Sequence, residues 1–363
     1  MEMMRIITES PSTEQWRLLD QFTYPRNVRV YLDKHSFNGV SGDSVEFVSA
    51  SLRQSKAYFT AAAESPMDIA PALLYYGSAN LLAAVSSMLT GNRLAIAGHG
   101  MRLTLQGDNG EGRRIADTQL LPIDSKRGAL QLFCNALSDR CQLVTGAPWT
   151  LEEILGSIPD LKQDFEGCYA GAVPYIIPLE SLITVRGALE RIVPSDLSRY
   201  SNPEEALHLV PGLADAFLPA QYGEQMAYII LYHKLAGRDI AVYSMLGRKH
   251  LPVAHLKNGH HIVPAQIILM HMGLFVLGTL SRYHPHIWNQ FANRDDTGEK
   301  LLVDKFLGVC HRYMPNLALN VIYGKRLQFV SETSATQDLT TSLTEDQVRS
   351  IVDEYLRSAH LKE

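Results

Sequence analysis

Cysteine is scarce and unpaired in this chain: Cys134, Cys141, Cys168 and Cys310 are the only four in 363 residues, and no two form a C-x-x-C pair. That spacing excludes a zinc ribbon and a dense disulfide framework, and it reads as reduced thiols in a core. Catalytic signatures are missing too. There is no G-x-S-x-G, G-x-x-x-x-G-K-[ST], H-E-x-x-H or strand-linked G-x-G-x-x-G. Hydrolase, P-loop and dinucleotide chemistry therefore lose their usual sequence support, and neither a cofactor nor a metal is expected.

Neither sign of charge dominates. With 33 basic and 38 acidic residues the formal net charge is −5, so any polyanion binding must come from a local patch. The most apolar run, Ile262 to Leu280, is interrupted by Pro264, Gln266, His271, Gly273 and Gly278, and reads as a buried helix more than as a membrane span. The opening MEMMRIITESPSTEQW lacks the order of a secretory signal, so a cytoplasmic location without membrane attachment is expected.

What the chain does contain is helical periodicity in its first and last thirds. Ser44 is positioned to cap a helix from about Val45 to Ala63, and a second follows Ser65-Pro66 with Asp68 in its first turn, ending before Gly91-Asn92. Together they form a helical hairpin. Helices return at Pro264, break between His284 and Pro285, and continue as separate segments near Glu299 to Tyr313 and Pro315 to Tyr323.

Between them the period shortens. Met101 to Gln106, Leu130 to Cys134, Met226 to Tyr232 and Ile240 to Leu246 read as strands, with hairpin signals at Asp108-Asn109-Gly110 and Asn258-Gly259. Thr150 and Glu153 make a capping box for a small inserted helix. The expected class is α+β: an N-terminal helical hairpin packed with C-terminal helices, and an inserted mixed, mostly β region. The expected divisions are an N-terminal extension 1–43, a discontinuous helical core 44–99 and 264–326, the insert 100–263, a polar linker 331–342 and a C-terminal amphipathic helix 343–363.

Ala57-Tyr58-Phe59, then SPMDIAPALLYYGSANLLAA from Ser65, Gly98-His99-Gly100, and LSRYHPHIW from Leu280 together resemble the bacterial YaaC-like proteins from about Glu46 to Tyr323. The terminal segments fall outside that resemblance, which carries no activity with it. Tyr75-Tyr76, Asn80 and the Gly-His-Gly turn are also similar to the tyrosine-bearing helix and histidine loop of HEPN helical bundles. That similarity implies a HEPN-like bundle and a metal-independent ribonuclease acting as a toxin or antiviral defence effector. Such enzymes hold a phosphate with arginine and move a proton with histidine four to six residues away.

Arg29/His35, Arg93/His99 and Arg248/His255 have that spacing, and Arg93 with His99 is the candidate catalytic pair because it follows the tyrosine helix. Tyr75, Tyr76, Asn80, Arg282, His284 and His286 are candidate ligand-binding residues. Arg238, Arg248, Lys249, His255, Lys257 and His260 read as a local basic surface, since the histidines of that hairpin lack a third ligand for zinc. The leading expectation is a binding or effector component acting on RNA or nucleotides. The rivals are the ribonuclease and a structural protein that docks a protein partner through its C-terminal helix. The oligomeric state is left open.

Overall fold

The computed structural model describes residues 2–35, 41–105, 114–137, 143, 145–184, 187–192, 194–198, 200–222, 225–235, 238–295, 297–330, 346 and 349–350. The Asp108-Asn109-Gly110 turn, Cys141, the linker and almost all of the C-terminal helix lie outside them. The chain opens with β1 (Met3–Ile7) and two ten-residue helices led by proline, α1 (Pro11–Asp20) and α2 (Pro25–Lys34). Proline at a first helical position pre-sets the backbone angle. Leu19, Phe22, Val28 and Leu32 are buried in the main core, so α1 and α2 belong to the helical body instead of extending from it.

The helical hairpin follows as α3 (Gly42–Ala63) and α4 (Ala70–Thr90). Ser41, not Ser44, caps α3: its Oγ accepts the Ser44 amide at 3.1 Å. Gly91 ends α4 in the left-handed conformation, at φ 70°. Among the described residues α4 is the helix long and apolar enough to cross a membrane, but it is mostly buried and packs against α3 and against three later helices.

The middle of the chain divides in two. Its first half holds β2 (Met101–Thr104), β3 (Gln119–Pro122), α5 (Ala129–Leu137), β4 (Trp149–Thr150), α6 (Leu151–Leu155) and α7 (Lys162–Cys168). The three strands pair antiparallel in the order β2-β3-β4. Leu120, Phe133, Trp149, Ile154 and Phe165 join the main core, so this half is fused to the helices. The capping box at Thr150 and Glu153 forms as expected. Leu130 to Cys134, expected as a strand, is part of α5: the segment has no β-branched residue, and it starts where carbonyls await its amides.

The second half carries β5 (Ile176–Pro178), β6 (Glu180–Thr184), β7 (Gly187–Ile192), α8 (Pro194–Leu197), α9 (Pro203–His208), β8 (Phe217–Tyr222), β9 (Gln225–Ile230), β10 (Val242–Tyr243) and β11 (Lys249–Pro252). Ile177, Ile192, Leu207, Leu213, Ile230 and Leu251 give it a second, separate core. The hairpin β12 (His255–Lys257) and β13 (His260–Ile262) turns at Asn258-Gly259, both with positive φ, as a two-residue connection requires.

Three helices complete the body: α10 (Gln266–Tyr283), α11 (Pro285–Arg294) and α12 (Glu299–Tyr323). α12 runs unbroken through Pro315, where two helices were expected. Tyr313, Met314, Ala318 and Leu319 are buried on both sides of the proline, and that packing carries the helix past the missing amide. Among the described residues a further strand, β14 (Arg326–Val330), follows α12 and pairs parallel with β1.

Candidate functional site at the corner of α4, the Gly-His-Gly loop and the α10–α11 junction

Two glycines set the histidine loop. Gly100 has φ +72°, and a Cβ there would stand 3.1 Å from the Cα of Gly128; one on Gly128 would stand 2.7 Å from the Cα of Gly100. This close backbone approach lets the carbonyls of Gly98 and His99 accept the amides of Ala129 and Leu130, at 2.8 and 3.1 Å. The loop thus caps the N-terminus of α5, which presents first-turn amides without intrahelical partners. The His99 side chain is exposed on that fixed backbone.

A 2.6 Å hydrogen bond joins Nδ1 of His99 to the hydroxyl of Tyr75, whose ring is 1% exposed. Burial, followed by the nearby Arg282 charge, holds the His99 imidazole below its usual pKa. Burial pushes the Tyr75 phenol up, Tyr76 adds to the rise and Arg282 opposes it. Both groups are therefore neutral at pH 7. Donation by the Tyr75 hydroxyl places the ring proton of His99 on Nε2.

Beneath this pair sits His271, fully buried, its ring stacked on Tyr75 with centroids 5.2 Å apart. Ser78 Oγ lies 2.8 Å from Nδ1 of His271 and donates its only proton to the Tyr75 carbonyl at 2.8 Å. His271 must then donate to Ser78 through Nδ1. Burial, with a smaller contribution from His99, lowers the His271 pKa to about 3. It is a structural, neutral support.

Arg282 supplies the charge. Its Nε donates to the Gly278 carbonyl at 2.7 Å, its Nη1 bonds the Tyr76 hydroxyl, and its guanidinium lies 5.0 Å from the Tyr76 ring centre and 4.8 Å from that of Tyr283. Tyr58 stacks on the other neighbour of the group, Tyr76, at 5.8 Å. Gly278 brings α10 against the start of α4: a Cβ there would lie 3.2 Å from the Ala72 Cα and the Pro71 carbonyl oxygen. α11 is pinned to the same place by Trp288 Nε1, which donates to Asp68 at 2.8 Å. His284 closes α10 through its amide, and its ring lies 6.3 Å from that of the exposed His286.

The fold brings Tyr75, Tyr76, His99 and Arg282 into one group, with His284 and His286 on the adjoining turn. Asn80, expected beside them, bonds the Tyr76 carbonyl within its own helix at 2.9 Å. Arg93 is elsewhere engaged: its Nη1 binds Asp43 at 2.9 Å and its guanidinium covers the Phe47 ring. The charge that acts on His99 comes from Arg282, on a different helix, and not from the arginine six residues upstream. Tyr283 and His271 were not singled out from sequence, although a lone histidine in the apolar run 262–280 was a visible signal for the second.

The basic surface needs correction. His255 and Lys257 are buried, at 3% and 8% exposure, and Lys257 binds Glu153 at 2.7 Å. Lys249 binds the buried Glu190. An acid folded beneath each lysine accounts for both, and only Arg238, Arg248 and His260 remain exposed. Ser157, His255 and Glu153 have the outline of a nucleophile triad, but Ser157 donates to the Glu153 carbonyl at 2.7 Å and so accepts from Nε2 of His255 at 2.8 Å. The proton runs the wrong way for a serine nucleophile, and the adjoining space of about 10 Å³ has no room for a substrate.

The family model described as YaaC-like Protein matches residues 9–322. The chain belongs to the YaaC-like family. The match takes in α1 and α2, which the sequence resemblance had left out, and it contains the whole tyrosine–histidine–arginine corner. No curated protein and no solved structure gives a significant match.

Proposed function

We propose that this YaaC-like protein is a cytoplasmic binding or effector component that takes RNA or a nucleotide at the α4–α10 corner. The observation that carries the reading is a guanidinium held against two tyrosine faces beside a neutral, exposed histidine. Arginine meets phosphate, and aromatic faces stack on bases irrespective of sequence. The exposed Tyr283 ring, 66% accessible, is the surface for such stacking. Anisotropy with a labelled single-stranded RNA of about 12 nucleotides tests it: Arg282→Ala and Tyr283→Ala should each weaken binding about fivefold to a hundredfold. Affinity unchanged in both folded variants, or absent in the parent, would contradict the proposal.

A second reading is metal-independent RNA cleavage with Arg282 in the place first assigned to Arg93. The neutral His99 beside that charge favours it once the hydrogen bond to Tyr75 reverses, because with Nδ1–H donating to the Tyr75 hydroxyl the outward Nε2 has a lone pair that can accept a proton from a ribose hydroxyl. Cleavage in EDTA that disappears in His99→Ala and persists in Arg93→Ala is the expected pattern. Intact RNA would remove this reading and leave the binding role.

A further inference from the structure

Tyr75 is buried, and the hydrogen-bond partner of its hydroxyl is Nδ1 of His99 at 2.6 Å. A phenol, with an ordinary pKa near 10, yields its proton more readily than a neutral imidazole N–H does, and an imidazole nitrogen is the stronger acceptor. The bond therefore runs from Tyr75 to His99. Reversal would leave the phenol proton buried without an acceptor.

The histidine ring that receives this proton is held in place. Phe275, 5% exposed on α10, meets both partners, its ring centre 5.5 Å from that of Tyr75 and 5.6 Å from that of His99. The backbone carbonyl of His99 is committed to the Leu130 amide. With Nδ1 turned inward to Tyr75, Nε2 is the nitrogen on the exposed side of the ring. The titratable and charged groups around it are Tyr75 and Tyr76 of α4, His271 and Arg282 of α10, and Arg127 before α5, whose Nε donates to the Ala95 carbonyl at 3.3 Å. Among the described residues no carboxylate bears on His99, so nothing there stabilises an imidazolium.

We propose that Tyr75 is the positioning residue of the corner: its proton fixes His99 as an outward hydrogen-bond donor, and His99 and Arg282 together receive one phosphate, the arginine alone supplying charge. This rests on the binding reading above and narrows what the corner recognises. Two donors suit the acceptor-only oxygens of a phosphate and not a base edge, which must also be offered an acceptor.

NMR of the full-length protein, isotope-labelled at its histidine nitrogens, tests the first step, because the two nitrogens of a neutral imidazole differ with the position of the proton. The expected result at about pH 8 is a single His99 tautomer with its proton on Nε2, assigned by its loss in His99→Gln. Tyr75→Phe, which keeps the ring and its contacts, should mix the two tautomers. Anisotropy with the same labelled RNA tests the second step. His99→Ala should weaken binding about tenfold, the loss of one hydrogen bond to a charged group. His99→Gln, whose amide is a neutral donor, should stay within about threefold of the parent, with a parallel pH profile down to the ordinary histidine value near 6.5. His284 and His286 titrate alike in both proteins and drop out of that comparison.

A proton on Nδ1 in the parent, tautomers unchanged in Tyr75→Phe, or His99→Gln as weak as His99→Ala would overturn the proposal; the first of these is the arrangement that cleavage requires. The spectrum needs no RNA, so a parent that binds none removes the binding reading and its phosphate, while the tautomer still decides the role of Tyr75. Should Tyr75→Phe fail to fold, the parent spectrum and the His99→Gln comparison decide.

Discussion

His271 and His99 share one tyrosine and differ in what solvent can reach. His271 is sealed under Tyr75 with its pKa lowered to about 3, whereas His99 presents its ring at the surface. A histidine whose folded pKa lies below its unfolded value near 6.5 binds fewer protons folded than unfolded. Its contribution is complete above the unfolded value and is lost as pH falls toward the folded one. His271→Phe keeps the ring contact with Tyr75 and leaves the Ser78 proton on the Tyr75 carbonyl. Its unfolding free energy should therefore fall less steeply than the parent's between about pH 6.5 and pH 4, by close to one proton in slope. Parallel pH profiles for the two proteins would show that His271 is not the buried neutral support described. Tyr75, Tyr76 and His99 were legible in the chain because unusual polar residues punctuate an apolar helix and a glycine pair. Arg282 was legible only as a member of a cluster, since its closeness to His99 depends on how α10 crosses α4.

At the scale of elements, glycine decides how closely the parts of the site meet. Gly278→Ala would push α10 off the Pro71–Ala72 backbone, which cannot yield as a flexible side chain can. The expected cost is about 1–3 kcal/mol, read as a lower melting temperature, with weaker RNA binding because Arg282 lies one turn beyond. Gly100→Ala should destabilise by a similar amount, about 1–3 kcal/mol, through its positive φ and its contact with Gly128. Unchanged melting in both variants would contradict the close-packed corner. Helix ends marked by Gly91 and Pro285 were readable from the chain, and so was the Asn258-Gly259 turn. The continuity of α12 through Pro315 and the helical state of Leu130 to Cys134 were not. Both are settled by burial against other elements, which outweighs local propensity.

For the whole molecule, the boundary in the middle of the chain explains most of what the sequence left hidden. One inserted region was expected, but its first half shares the helical core and its second half builds its own, and a cavity lies at the seam. β1 and β14 close the body outside the family-matched span, through pairing of residues more than three hundred positions apart that no local pattern announces. Removing residues 1–8 would leave β14 without that partner and should lower the melting temperature by several degrees; an unaltered melt would show the pair to be dispensable. The central claim, that the α4–α10 corner is where a nucleic acid sits, is met most directly by photocrosslinking a 4-thiouridine-containing single-stranded RNA and mapping the attached peptides. The account predicts attachment at the peptides bearing Tyr76, His99 and Tyr283, lost on competition with unlabelled RNA. Attachment confined to the exposed face around Arg238 and Arg248 would contradict it.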